Sequence, residues 1–485
     1  MKRSIGGLLL IGILVFFPGC QSEPTELAEG GIKGTGRTDV SAGAISGFGS
    51  VIVNGTRFDT TASTIIVNGQ TASESDLDVG FVVRVEGDIS AGIATMVEFA
   101  DSVRGPVSDI APNGAAGNEA TLTVLGQTIV VDDLTNLNNT DLTTLMPGDI
   151  VAVSGLRNAS NVIVANYLEK RANVDLFAVT GVVSNLDATN KRFHIAQLTV
   201  DFSAASLVDL PGGALANGQT VEAVSEAGGF IAATPLLKAT TVSGGIVLGA
   251  RPDDEVEVEG LVTNADNAPA AFQVGGVSVA TSSATVFEGG SPNDIVVNAR
   301  VEVEGEIDAG GLLQALRVIV KPSNEVEIQG SAGTVDLGAD TITVLSIVVQ
   351  VDELTSFKDE SVTKQRPFNL THVSTGDRIE VRGIGDASTV IATRLVRKNP
   401  EDDTKGKLGA PVESFDATAE TISTLGLVIT ASEALGTGFE LDELEVSQEA
   451  FYAELQEGTI IEVEWEPFMS TSQPPKQVTL EREEE

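Results

Sequence analysis

One short phrase returns along nearly the whole chain, and it requires the molecule to be built from copies of a single small unit. The phrase is an aliphatic residue, any residue, then glycine. It stands at Ile45-Ser46-Gly47, Val103-Arg104-Gly105, Val179-Thr180-Gly181, Val258-Glu259-Gly260 and Ile328-Gln329-Gly330, with a weaker copy at Leu408-Gly409. A second phrase follows each copy at roughly 40 to 55 residues, the fixed self-similarity of a tandem array. It reads VRVEG ending at Gly87, VAVSG at Gly155, VEVEG at Gly305, IEVRG at Gly383 and IEVEW at Trp465, and it is degenerate in VEAVS ending at Ser225. After it comes a run containing alanine: IATMVEF from Ile93, VIVANYL from Val162, LLQALRVIV from Leu312 and VIATRLV from Val390.

The apolar residues give the secondary structure. Ser50 to Asn54, Val82 to Glu86, Gln127 to Val131, Glu255 to Val258, Arg300 to Glu304, Thr341 to Val344 and Ile460 to Glu464 alternate apolar with polar or run short and β-branched, which predicts strands. Asn54-Gly55, Asn68-Gly69, Asn217-Gly218 and Gly275-Gly276 suit tight hairpins that need positive φ. A unit of five or six such strands buries one face and hides its edges by closing on itself. The expected fold is therefore all-β: a tandem array of about six small antiparallel β-barrel-like domains, OB-like in arrangement, behind a lipoprotein signal peptide. The recurring glycines mark strand bends where a side chain has no room. The polar stretch Leu441 to Glu457 is long enough for a helix across a barrel end.

The expected boundaries are a signal peptide over 1–19, a lipid anchor and flexible tether over 20–42, and β domains over 43–102, 103–173, 174–248, 249–322, 323–400 and 401–485. Lys2 and Arg3, the apolar run Leu8 to Phe17 and then Pro18-Gly19-Cys20 have the order of a secretory signal, and the run is too short to cross a bilayer. The cysteine after a small residue resembles a bacterial lipobox, with Phe17 where leucine is usual. Cys20 is the one cysteine in 485 residues, so it is read as the lipidation site rather than a disulfide partner. Gln21 in place of aspartate directs such a protein, by analogy with Gram-negative sorting, to the outer membrane, with its bulk in the periplasm or at the cell surface. The stretch after it is rich in Glu, Gly, Thr and Ser without an apolar period, as in a tether.

Charge restricts the partners. Without Lys2 and Arg3 the mature chain keeps 27 basic residues against 69 acidic ones, a net charge of −42. Nucleic acid is not expected as a partner, because phosphate binding rests on Lys and Arg. The plain reading of the acidity is solubility, with weak divalent-cation binding as the functional alternative.

The segment from Gly43 to Gly87, GAISGFGSVIVNGTRFDTTASTIIVNGQTASESDLDVGFVVRVEG, resembles the domain of unknown function 5666 family, which occurs singly and in tandem in secreted bacterial proteins, often lipoproteins. The run Gly47 to Gly55 and the phrase VGFVVRVEG carry the likeness, and units two, four and five keep the closing phrase. The resemblance implies a compact β domain and secretion, and brings no catalytic residues.

No catalytic set or cofactor is expected from the residues themselves. The two histidines, His194 and His372, fall in different units, so neither supports a nucleophile in the other's unit or a shared zinc site. One acidic position does recur: the aspartate after a strand, at Asp59, Asp132, Asp201 and Asp352. Such an aspartate forms a turn by accepting backbone N–H bonds; a cation-binding role is the alternative. With one Trp and two Tyr there is little to stack on sugars or bases, and Trp465, standing where other units have glycine, suits a capping role at the last repeat. The expected function is that of a non-catalytic envelope lipoprotein, a rod or bent string of β domains presenting repeated shallow surfaces to a protein or polymer partner. The alternative is a hydrolase or metal-dependent enzyme acting on envelope glycans through carboxylates of one diverged unit, and buried acids gathered in one cleft would favour it.

Overall fold

The computed structural model describes residues 39–113, 119–132, 134–172, 174–246, 248–321, 326–352, 354–385, 389–399, 405–442, 444–466 and 470–480. The leader, Cys20 and most of the expected tether lie outside the described residues. Arg37–Glu485 forms one compact unit.

The second repeat shows how the two phrases make a fold. Its opening strand Val103–Asn113 pairs antiparallel with Glu119–Val124, which turns back into Gln127–Val131. That strand runs parallel to the final strand Ile163–Arg171, which pairs antiparallel with the phrase strand Ile150–Arg157, and this in turn pairs with the opening strand. The hydrogen bonding thus returns to where it began, and the one edge it leaves is on the opening strand. Repeat four closes the same circuit through Glu255–Asn267, Ala271–Val274, Val277–Ala280, Leu313–Lys321 and Arg300–Ile307. Repeat five does so through Val326–Asp336, Thr341–Val344, Ile347–Gln350, Val390–Lys398 and Arg378–Gly385.

Glycine and alanine explain each other in this circuit. Gly87, Gly155, Gly305 and Gly383 each sit at a bulge opposite Ala94, Ala165, Ala315 and Ala392 of the final strand. A Cβ on these glycines would lie 2.0, 2.2, 2.1 and 2.2 Å from a carbonyl oxygen of that strand, so the phrase requires glycine for close backbone approach. The first phrase works differently. A Cβ on Gly105, Gly181, Gly260 or Gly330 would meet the side chain of Leu125, Ile195, Val274 or Leu345 instead. In repeat one, register puts Gly43 rather than Gly47 in that role: Gly43 pairs with Val83 as Gly260 pairs with Val301.

The opening strand of repeat one spans Asp39–Gly47, beginning four residues before the expected boundary at Gly43. Asn54-Gly55, Asn68-Gly69 and Gly275-Gly276 make hairpins with positive φ at both positions. Asn217-Gly218 does not. It leads into the phrase strand Thr220–Glu226, and the Asn217 side chain accepts a bond from the Leu186 N–H. In repeat six the stretch expected to hold a helix forms Gln448–Glu454, capped by Ser447, with Phe451 and Tyr452 in the core. Trp465 is fully buried there, and its Nε1 donates to the Gln473 carbonyl.

The repeats do not form a string. Opening strands pair between repeats, and they do so in two ways. Val103 lies opposite Val179 in an antiparallel pair joining repeats two and three, and Ile328 lies opposite Leu408 in the same arrangement joining five and six. Residues opposite one another share a sheet face, so the interiors merge: one cluster holds the cores of repeats two and three, another those of five and six. Repeats one and four instead join by parallel strands, with Ala42 opposite Val258 and Ser41 opposite Glu257. Val258 faces the core of repeat four, while Ile45, on the other face, belongs to the core of repeat one, so these two interiors stay separate. An extended row would have left every opening-strand edge unpaired; these joints use them up.

Candidate functional site

The joint between repeats one and four gathers charges that the repeats have no use for alone. The polar positions of its strands point away from the core of repeat four and are buried because repeat one covers them. Glu257 and Glu259 are each 6 % exposed. Glu257 accepts from the Ser41 hydroxyl at 2.9 Å and the Thr56 hydroxyl at 3.2 Å. Burial, then the nearby Glu302 and Glu304, push its carboxyl up to about 8 in spite of those bonds. Glu259 accepts from Arg300 Nε at 2.8 Å, Lys321 Nζ at 3.1 Å and the Ala44 N–H at 2.9 Å. Burial opposes its charge, but Arg300 and Lys321 outweigh burial and hold it at about 2. Lys321, pulled down by burial, is lifted above its ordinary value by Glu259 and Glu302.

A second joint brings repeats two, five and six around a charged cleft of about 670 Å³. Lys407 pairs with Glu462 at 2.8 Å and with Glu327 at 3.4 Å, tying repeat six to five. Glu360 takes Lys398 at 2.6 Å and Lys358 at 2.8 Å; burial opposes its charge, but those lysines and Arg394 bring it down to about 2. Arg394 Nη1 donates to the Leu134 carbonyl and Lys358 Nζ to that of Leu137, which fastens repeat five to two.

Repeats one, two, four and five meet at a cavity of about 330 Å³. Its neighbours are fixed by contacts between repeats: Phe81 meets Tyr167 edge-on with ring centroids 4.7 Å apart, and the Val82 N–H donates to Ser154 Oγ at 2.8 Å. The Arg366 guanidinium stacks 3.5 Å above the Phe48 ring.

The recurring aspartates are not brought together. Each Oδ1 accepts the N–H two residues on: Asp59 from Thr61, Asp132 from Leu134, Asp201 from Ser203 and Asp352 from Leu354. Asp132 borders the charged cleft and Asp352 the cavity. Hydrogen bonds from Thr61 hold the exposed Asp59 carboxyl below the usual range. At Asp132 and Asp352 the sequence carries a further signal, a threonine three places after the acid. Thr135 and Thr355 bond both to that aspartate and to the carbonyl of the phrase-pairing alanine, Ala165 or Ala392, and Thr285 reaches Ala315 in the same way. His194 meets Thr199 and His372 meets Asn369, each within its own repeat. Among the described residues no group of three or more His, Cys, Asp or Glu is placed to hold a metal ion.

The fold and these joints define an all-β protein of tandem repeats welded through their opening strands. The model of the family described as Domain of unknown function (DUF5666) matches at residues 40–98, 104–169, 259–319 and 332–395, just over half of the chain, and the protein belongs to that family. The four matches are repeats one, two, four and five, which together surround the cavity. No curated protein matches. A solved structure titled "drosophila Unr CSD456" is similar at 11 % identity with a TM-score of 0.13, over 45 % of this chain and 97 % of that one; at that score the likeness carries no argument.

Proposed function

We propose that this is a non-catalytic protein of the bacterial cell envelope, anchored to the outer membrane by lipid on Cys20, in which OB-like barrels serve as a structural and binding body for a protein or polymer partner. The OB-like reading rests on strand order. Numbering the five circuit strands along a repeat, the order is 1-2-3-5-4-1 with strands three and five parallel, as in repeats two, four and five.

The observation that carries the non-catalytic reading is the saturation of Glu257 and Glu259, two buried acids two residues apart on one strand. Glu257 and Glu259 lie on one strand face with carboxyls driven apart, to about 8 and about 2, which is the pattern a carboxylate hydrolase uses for its acid and its nucleophile or base. Yet all four of their oxygens take protein donors within the seam. Acids so placed hold two repeats together and have no face left for substrate. A partner engages this body at the junctions between repeats, because the equivalent edges of the individual repeats are already paired with one another.

The test is hydrolysis by the full-length mature protein in detergent, assayed on envelope glycans including peptidoglycan, for the native chain and for Glu257→Gln and Glu259→Gln. No turnover by any of them, with altered stability in the variants, is the expected result. Turnover by the native protein that both substitutions abolish at unchanged folding replaces this reading with a hydrolase.

A further inference from the structure

Two isoleucines of repeat five are left outside its core. Ile384 lies directly opposite Ile391 on the paired phrase and final strands, and Ile391 keeps 42 % of its surface exposed. Neither belongs to the cluster that holds the interiors of repeats five and six. The equivalent pair in repeat four, beside its own phrase glycine, is Glu306 opposite Gln314, which is what the solvent face of a strand ordinarily carries. Repeat five differs in what that pair borders: both isoleucines, with the half-buried Leu354, line the cavity between repeats one, two, four and five. They give it an accessible aliphatic wall, and such a wall beside a few polar groups is the usual make-up of a small-molecule site.

The polar lining decides what kind of molecule that wall would hold. It carries three cations, Arg300, Lys321 and Arg394, against three carboxylates, Glu259, Glu288 and Asp352. Most of these are committed to one another or to backbone. Lys321 lies between Glu259 and Glu302, Arg394 donates to the Leu134 carbonyl, Arg317 holds Glu288, and Asp352 accepts the Leu354 N–H. Arg300 is different. Its Nε donates to Glu259 at 2.8 Å, while its two terminal nitrogens have no hydrogen-bond or ion-pair partner among the described residues, and 28 % of its side chain stays exposed. Two parallel N–H donors at the end of a guanidinium match the two oxygens of a carboxylate. A cationic ligand would meet three positive side chains here, and a neutral one would leave the fork unused.

We propose that this cavity binds an aliphatic monocarboxylate of medium chain length, the class of octanoate, with its carboxylate on the terminal nitrogens of Arg300 and its chain along Ile384, Ile391 and Leu354. The volume of about 330 Å³ is at the lower end of small-molecule sites, which suits one such chain. Arg300 comes from repeat four and the isoleucines from repeat five, so the site exists only in the assembled protein.

The probe is octanoate, with 1-octanol as the same chain without a charge and butanoate as the same head without most of the chain. The whole mature chain is used without its lipid, so that neither detergent nor an attached acyl chain competes. Calorimetry is expected to give saturable, one-to-one binding of octanoate and at least roughly tenfold weaker binding of both controls. Arg300→Lys, which keeps a cation beside Glu259 and removes the fork, weakens octanoate by a similar factor and leaves octanol unchanged. Ile384→Gln combined with Ile391→Gln makes the wall polar without adding charge, and abolishes octanoate binding while the protein still melts cooperatively. Equal affinity for octanol and octanoate, unaltered octanoate binding in either variant, or no saturable binding of octanoate to the native chain each overturns the proposal.

Discussion

The Ser41 hydroxyl donates a 2.9 Å hydrogen bond to the Glu257 carboxylate, joining two residues 216 positions apart across parallel opening strands. That pairing, rather than any loop or linker, unites repeat four with repeat one. It also sets a carboxyl in a place where burial is only partly compensated. Two hydroxyls are weaker partners for a carboxylate than the cations that Glu259 meets two residues along the same strand.

Glu257 makes the fold lose stability as the pH rises from about 4.5 to about 8. Its carboxyl is raised from 4.5 to about 8, so between those values the folded protein keeps a proton that the unfolded chain has released. The stabilising contribution is complete below the unfolded value and is lost as the pH rises through the folded one, at up to about 1.4 kcal/mol per pH unit. Urea unfolding of the native protein and of Glu257→Gln across that window is expected to show the native chain losing stability relative to the variant as pH rises. Parallel curves exclude the shift.

Glu259 carries the opposite sign. With a folded value near 2, its contribution is present above the ordinary glutamate value of 4.5 and fades as pH falls toward 2. Glu259→Gln leaves Arg300 and Lys321 partly buried against a neutral amide, and breaking a buried pair from one side costs about 3–5 kcal/mol. Denaturant melts near neutrality should show that loss, in contrast with the near-neutral or stabilising Glu257→Gln. A loss under about 1 kcal/mol would put this seam among surface pairs of little consequence.

The phrase glycine has a steric reason that substitution can expose. A Cβ at Gly305 would stand 2.1 Å from the Gln314 carbonyl oxygen, and that oxygen belongs to backbone that cannot swing aside. Gly305→Ala is expected to cost about 1–3 kcal/mol or more by forcing the bulge apart. Gly338→Ala, where the nearest atom is a flexible Asp336 oxygen at 3.4 Å, is the matched control and should be close to neutral. Equal thermal shifts for the two would remove close approach as the cause.

How much of this was legible beforehand follows from what a single sequence encodes. Alternation and the glycine phrases marked the strands and the tandem repetition, because both depend on near neighbours and recur along the chain. The bulges were legible as glycine without their alanine partners, since Gly305 and Ala315 are matched only once the final strand folds back. The joints were not legible. Whether Val103 pairs with Val179 or with solvent depends on an edge-to-edge choice between distant strands, and nothing in either strand announces it. The buried glutamates were hidden for the same reason: Glu257 and Glu259 read as the polar face of a surface strand until repeat one covers them.

The recurring aspartates should behave as turn formers in solution. Asp352→Ala removes an acceptor for the Leu354 N–H at 2.9 Å and for Thr355 Oγ1 at 3.2 Å, a loss of about 1 kcal/mol. Asp352→Asn keeps a side-chain oxygen in the same place and should lie within a few tenths of the native protein. Calcium titrated into the mature protein is expected to give only weak, salt-screened heat. Saturable binding that disappears when Asp59, Asp132, Asp201 and Asp352 all become Asn would instead make the four turns a set of cation sites.

The proposed anchor has its own test, independent of every contact in the folded body. If Cys20 is the lipidated first residue of the mature chain, cells fed an alkynyl fatty acid will label the native protein, and the label will follow it into the outer-membrane fraction. Cys20→Ala should abolish labelling and leave an uncleaved or soluble product, because no other cysteine exists to take its place. Detergent-free extraction of the unaltered protein from membranes, or label that persists in the variant, removes the lipid from the proposed function and leaves the welded repeats to reach their partner unanchored.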